Sequence, residues 1–147
     1  MSNAPVPAFF VHKPKKKYAN STLKEDEASR IMAHLQILTQ DRKIFIDQTI
    51  SIERLSVLLN TSRHILSQVI NEKMGQSFYD YINSYRIEEA KSLLKEPERQ
   101  NHKIAFIAYE AGFNSLSTFN DVFKKMTGLT PSQYRESVIE ESCKQRV

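Results

Sequence analysis

The sequence predicts an all-α protein of about seven helices, in which two helix-turn-helix units are joined by a long central helix. Two observations predict this fold. From Thr22 onward, apolar residues recur at intervals of three and four, and no strict alternation lasts long enough for a sheet. One stretch of the chain also occurs twice, 52 to 53 residues apart, as a short apolar helix, a tight break and a second helix.

Composition limits the classes of protein to consider. The chain has 147 residues, of which 40% are hydrophobic, and this is enough for the modest hydrophobic core of a soluble protein. Lysine and arginine outnumber the acidic residues by 21 to 17, a mild preference for polyanionic partners. The single Cys143 excludes an internal disulfide and indicates a reducing compartment. No window approaches the roughly 20 apolar residues of a membrane-spanning helix.

Residues 1–20 are predicted to be a cloning remnant followed by a basic linker. Met1 to Ala4 resemble such a remnant, and the natural protein is therefore expected to be longer. A basic run without helical period follows, with lysines at Lys13, Lys15, Lys16 and Lys17. It is interpreted as a solvated linker. The cytoplasmic edge of a removed membrane segment and a nuclear address remain alternatives.

Helix starts and ends are marked along the rest of the chain. Residues 21–50 are predicted to hold a lead-in helix, from about Thr22 to Gln40, and a connection. Capping boxes are expected at Thr22 to Glu25 and at Thr130 to Gln133, with Pro131 at the first helical position. Ser51 and Ser77 are further candidate caps, and Pro97 must end the helix before it.

The repeat defines the two units. Ile52 and Leu55 recur as Ile104 and Ile107, 52 residues later. At an offset of 53, a second set recurs: Leu66, Val69, Ile70, Gly75 and Tyr81 match Phe119, Val122, Phe123, Gly128 and Tyr134. The helix-turn-helix units are therefore predicted at about 51–75 and 103–128, with the central helix at about 77–95. Each break needs a residue that tolerates positive φ, namely Asn60 in the first unit and Gly112 in the second.

The second helix of each unit has one apolar and one polar face. In the later copy the predicted buried stripe is Phe119, Val122, Phe123 and Met126, and the outward face is Ser117, Asn120, Asp121 and Lys124. In the earlier copy the stripe is Leu66, Val69 and Ile70, and the outward face is His64, Ser67, Gln68 and Asn71. Such polar groups can read base edges. An ordinary solvated face is the alternative, but Asn and Ser are poor helix formers and the pattern occurs twice.

The central helix carries a second apolar stripe, formed by Phe78, Tyr81, Ile82 and Tyr85. A stacking platform for bases is one interpretation of its aromatic rings. The stripe is instead predicted to be part of the hydrophobic core, because aromatic side chains at helical spacing usually pack inside a protein.

These residues together resemble the DNA-binding domain of the AraC family of bacterial transcription regulators. The resemblance covers roughly Ser51 to Arg135 and leaves residues 136–147 as the end of a helix and a tail. It depends mainly on Ile104, Ile107-Ala108, Gly112-Phe113, Phe119, Phe123-Lys124, Gly128, Thr130-Pro131 and Tyr134-Arg135. It implies sequence-specific binding of double-stranded DNA. The base readers that it implies are His64, Ser67 and Gln68, then Leu116, Ser117, Thr118, Asn120 and Asp121.

Asp121 departs from the family pattern, in which a basic residue is frequent at this position. Its carboxylate would either accept from a cytosine amino group or pair with Lys124 or Lys125. Phosphate contacts are expected from basic residues beside the reading faces and from two helix N-termini. These residues are Ser62, Arg63, Lys73, Lys103, Ser115, Lys124 and Lys125.

The resemblance also implies partners and a cellular location. RNA polymerase is expected as a second partner, and a sensory or membrane-attached region is expected before the module. The fragment is predicted to be a cytoplasmic monomer, with dimerisation an option for the full-length protein.

Two other functions are alternatives to DNA binding. An enzyme would need converging groups, but the chain has no glycine-rich phosphate loop and no nucleophile motif, and its histidines are scattered at His12, His34, His64 and His102. No catalytic residue, cofactor or metal site is therefore predicted. A helical protein-interaction module is the stronger alternative, and its binding would respond little to salt.

Overall fold

Residues 24–145 are described by the computed structural model, and within this range the chain forms seven α-helices and no strand. The helices are α1 (Glu25–Gln36), α2 (Ile52–Leu58), α3 (Arg63–Met74), α4 (Phe78–Lys95), α5 (Ile104–Glu110), α6 (Leu116–Thr127) and α7 (Pro131–Gln145). A π-helical turn at Ile37–Asp41 follows α1, and 3-10 turns occupy Ile44–Ile46 and Pro97–Arg99. The predicted all-α class is confirmed. The predicted remnant and basic run lie outside the described residues.

Short polar side chains cap three of the helix N-termini at the predicted places. Ser51 accepts a hydrogen bond from the Arg54 amide at 3.2 Å, and Ser77 accepts one from the Asp80 amide at 3.1 Å. Before α7, Thr130 and Gln133 bond reciprocally through side chain and backbone, at 3.2 and 3.0 Å, as a capping box does. Helix α4 ends two residues before Pro97. The capping box expected at Thr22 to Glu25 is wrong, because it needs Glu25 as the third helical residue and α1 begins at Glu25. The N-cap is Lys24, which makes no side-chain cap bond.

The chain divides into two compact units between Tyr85 and Arg86, so α4 contributes residues to both. In the first unit, the lead-in helix α1 is part of the core. Its buried side chains are Ala28, Ile31 and Leu35, and they cluster with Phe45, Leu55, Leu59, Leu66, Val69, Ile70, Tyr81 and Ile82. Phe78 and Tyr85 pack against this cluster, and Tyr81 is fully buried. The aromatic stripe of α4 is therefore core, as predicted.

A chain of aromatic rings fills the second unit. Phe113 contacts Phe119, Phe119 contacts Phe123, and Phe123 contacts Tyr134, with ring centroids 5.1, 5.5 and 5.5 Å apart. Helix α4 adds Ile87, Ala90, Leu93 and Leu94 to the same cluster. Offset and edge-to-face rings of this kind add to the stabilisation from apolar burial.

The π-helical turn after α1 places a hydroxyl inside the first core. Thr39 is fully buried, and its hydroxyl donates to the Leu35 carbonyl at 2.9 Å and lies 3.2 Å from the Tyr81 hydroxyl. Burial raises the pKa of Tyr81 well above its ordinary value. The Arg30 guanidinium donates to the Leu59 carbonyl at 3.2 Å, directly before the turn of the first unit. The region upstream of the repeat thus supports the first helix-turn-helix.

Candidate nucleic-acid interface

The second helix-turn-helix consists of α5 and α6. Its turn contains Gly112 at a φ of 103°, a value that side chains with a Cβ rarely adopt. Ser115 caps α6 by accepting from the Thr118 amide at 3.2 Å. Phe119 and Phe123 are buried, while Thr118 is half-buried. The exposed residues of α6 are Leu116, Ser117, Asn120, Asp121, Lys124 and Lys125, so the predicted outward face is confirmed.

The first helix-turn-helix uses the same devices at matched positions in α2 and α3. Asn60 occupies the turn with a φ of 53°, and Ser62 caps α3 by accepting from the Ile65 amide at 3.1 Å. Glycines with positive φ end both second helices, Gly75 in the first unit and Gly128 in the second. The same backbone unit therefore occurs twice, as the repeat predicts.

The reading face of α3 differs from its prediction. His64 is exposed and Ser67 is half-buried, but Gln68 and Asn71 are buried, with 2% and 6% of their surfaces accessible. The expectation that these two side chains point outward is wrong. Gln68 lies about 200° around the helix from Leu66, so burial of both means that α3 is covered on opposite sides. The Gln68 amide donates to Glu72 at 3.2 Å instead of facing solvent.

Several predicted site residues of the first unit meet around one open cleft. Its lining combines the start of α3 with the start of α4: Ile52, Ser62, Arg63, His64, Ser67, Ser77, Phe78 and Tyr79. Tyr79 is 59% exposed and was not among the predicted site residues. One feature of the sequence could have indicated its exposure: Tyr79 follows Phe78 directly and therefore falls outside the apolar stripe of α4.

The predicted phosphate anchors fall into two groups. Arg63 forms an ion pair with Glu53 at 3.2 Å, and Lys73 forms one with Glu25 of α1. Lys103, Lys124 and Lys125 are exposed, and none has an ion-pair partner within residues 24–145. Within the same range Asp121 makes no pair with Lys124 or Lys125, so the sideways arrangement considered for its carboxylate is not formed.

The chemistry that this surface offers is hydrogen bonding and positive charge. Hydroxyl and amide groups lie on α6, and ammonium groups flank them. Across residues 24–145, no three His, Cys, Asp or Glu side chains are placed to hold a metal ion. Among the helices between residues 24 and 145, none combines the length and the hydropathy of a membrane-spanning segment.

Two helix-turn-helix units, each with an N-capped second helix, define the class of protein as a helix-turn-helix module. A family model described as a helix-turn-helix domain matches residues 55–137, more than half of the chain. The chain belongs to the AraC family of DNA-binding transcription regulators.

Individual relatives agree with this family. The chain is 43% identical over 76 residues to the TCP pilus virulence regulatory protein of Vibrio cholerae, covering 52% of this chain and 26% of that protein. It is 29% identical over 123 residues to an uncharacterized HTH-type transcriptional regulator of Staphylococcus aureus, covering 83% of this chain and 15% of that one. The chain therefore spans about a quarter or less of the length of these relatives.

A solved structure shows the same architecture. The C-terminal domain of the two-component response regulator yesN from Fusobacterium nucleatum superposes with a TM-score of 0.61 and 32% identity. The match covers 71% of this chain and 98% of that domain.

Proposed function

We propose that this chain binds double-stranded DNA in a sequence-specific manner, with the second helix of each unit, α3 and α6, reading the major groove. The observation that carries the proposal is the exposed polar face of α6, placed after a glycine turn and a serine cap. An α-helix fits the major groove, where each base pair presents a distinct pattern of donors and acceptors.

The proposed readers are the predicted residues that are accessible. In the first unit they are His64 and Ser67, and in the second they are Leu116, Ser117, Thr118, Asn120 and Asp121. Gln68 and Asn71 are left out because they are buried. The proposed phosphate contacts are the amides at the starts of α3 and α6, with the basic residues Arg63, Lys73, Lys103, Lys124 and Lys125.

The biological role that follows is control of transcription in a bacterial cytoplasm, without catalysis by this chain. RNA polymerase would be the second partner, and a sensory or membrane-attached region would belong to the longer protein. The fragment is proposed to bind as a monomer, because one chain already holds two reading helices. The relatives support this role through their names as regulators.

Selection from randomised duplexes, followed by footprinting and a salt series on the selected site, tests the proposal. We expect a footprint longer than one half-site and an affinity that falls steeply with salt, because bound phosphates release counterions. Affinity that barely responds to salt would instead favour a protein-interaction module with an apolar groove. A footprint of about five base pairs, or one that appears only with a dimer, would contradict monomeric binding by both units.

A further inference from the structure

The two reading helices differ in how much of their length is accessible. Five of the twelve residues of α3 are buried, and they include polar positions on the side opposite its apolar stripe. Only Phe119 and Phe123 are buried among the twelve residues of α6. At matched positions, 53 residues apart, buried Gln68 corresponds to exposed Asp121, and buried Asn71 corresponds to exposed Lys124.

Accessible groups therefore have different distributions along the two helices. On α3 the exposed residues are Arg63 and His64 at the start and Lys73 near the end. On α6 they run from Leu116 to Lys125, nearly three turns at 3.6 residues a turn. A helix that lies in the major groove can read more base pairs when polar groups continue along its length. In α3 only the first turn and Ser67 remain for this purpose.

The basic residues of the two reading helices also differ, in whether they form ion pairs. Glu53 and Glu25 neutralise Arg63 and Lys73 in the first unit, so each pair adds no net positive charge beside α3. The lysines in the last turn of α6, Lys124 and Lys125, have no such partner among the described residues. Salt-dependent affinity comes from basic groups that neutralise phosphates, and a group already neutralised by a carboxylate contributes less.

We infer that α6 supplies most of the sequence discrimination of this chain, while α3 makes a weaker and more permissive contact through its first turn. This inference rests on the proposed function. It assigns unequal roles to two units with the same backbone, because more of α3 than of α6 is buried.

A matched pair of substitutions tests the inference, because Ser67 and Asn120 occupy equivalent positions 53 residues apart. The measurement is the ratio of affinities for the selected duplex and a scrambled duplex, at one salt concentration. We expect Asn120→Ala to lower this ratio by roughly tenfold or more, the size of a lost base contact. We expect Ser67→Ala to lower it by less than about threefold. Ser92→Ala, on an exposed position of α4 outside both reading faces, is the control and should leave the ratio unchanged.

A second pair of variants compares the contribution of one basic residue from each unit to the salt dependence of binding. Lys124→Ala should reduce the slope of log affinity against log salt by about 0.9, the value for one phosphate contact, and Arg63→Ala should reduce it by clearly less. Circular dichroism and urea unfolding of each variant separate lost folding from lost recognition. The inference is overturned if Ser67→Ala lowers the ratio as much as Asn120→Ala, or if Asn120→Ala weakens both duplexes equally. If the unsubstituted chain selects no duplex at all, the proposed function itself fails.

Discussion

Asp121 is a carboxylate on a helix face whose other exposed groups are hydroxyl, amide, ammonium and one leucine side chain. Near DNA it is repelled by phosphates unless a base donor, mainly the cytosine amino group, meets it. We expect Asp121→Asn to raise affinity for random DNA by about fivefold, the effect of roughly 1 kcal/mol of repulsion in water. The gain should be smaller on the selected site, so that the specificity ratio falls.

Equilibrium binding of both duplexes at one salt concentration measures this effect. Glu140→Gln, an exposed acid on α7, removes the same charge away from α6 and serves as the control. An unchanged specificity ratio in Asp121→Asn would remove Asp121 from the reading face.

Lys125 is exposed on α6 beside the reading face, and its expected partner is a phosphate. Lys125→Ala should weaken binding to selected and random duplexes by the same factor and reduce the salt slope by about 0.9. Salt titrations of both duplexes measure the two quantities. Lys144→Ala, near the end of α7, is the matched control. A loss confined to the selected duplex would show that Lys125 reads bases instead.

Single residues also show where prediction from the sequence stops. The faces of α6 follow from its periodicity, because one apolar stripe packs on one core. For α3 the same reasoning places Gln68 outward, but Gln68 is buried. Its burial means that α3 is also covered on the side opposite its apolar stripe. A helical wheel contains no information about other segments that cover a polar face. The ion pair between Glu25 and Lys73, 48 residues apart, is unpredictable for the same reason.

At the scale of elements, most caps and turns were predictable because their chemistry is local. Asn60 and Gly112 both adopt positive φ, and the caps at Ser51, Ser77 and Thr130 form where the sequence indicates them. The capping box expected at Thr22 to Glu25 is the exception. The π-helical turn at Ile37–Asp41 was not predicted, because it is linked to a contact between Thr39 and Tyr81 across 42 residues.

The two turn residues should respond differently to substitution. Gly112→Ala forces a Cβ into a φ of 103° and should lower the free energy of unfolding by about 1 to 3 kcal/mol. Asn60→Gly, at a φ of 53°, should change it by less than about 0.5 kcal/mol, because glycine also accepts this conformation. Urea unfolding followed by circular dichroism measures both values. Equal losses would mean that backbone strain does not govern these turns.

At the scale of the whole molecule, the repeat predicts two units, and two separate cores are present. The sequence does not indicate how far the first core extends upstream, since the repeat begins near Ile52. Ala28, Ile31 and Leu35 of α1 nevertheless lie in that core, before the residues 55–137 that match the family model. Their apolar spacing predicts a helix, but its packing partner is found only in the tertiary structure.

The stability of both cores depends on the same helix, α4. It contributes eight residues, 78–85, to the first unit and ten, 86–95, to the second. Isolated helices shorter than about 12 to 15 residues are marginal in water, so each half is stabilised by continuing into the other. Loss of either core would leave the remaining half of the helix with a frayed end. The two units should consequently unfold as one cooperative transition.

Hydrogen exchange measured peptide by peptide can detect this cooperativity. Leu55→Ala removes a fully buried side chain from the first core, at a cost of about 2 to 5 kcal/mol. We expect faster exchange in peptides of α5 and α6 as well as in those of α2 and α3, whereas exposed Ser29→Ala should change neither. Acceleration confined to residues 24–85 would show independent units. If the units are coupled, a core substitution in one of them lowers the occupancy of DNA by both.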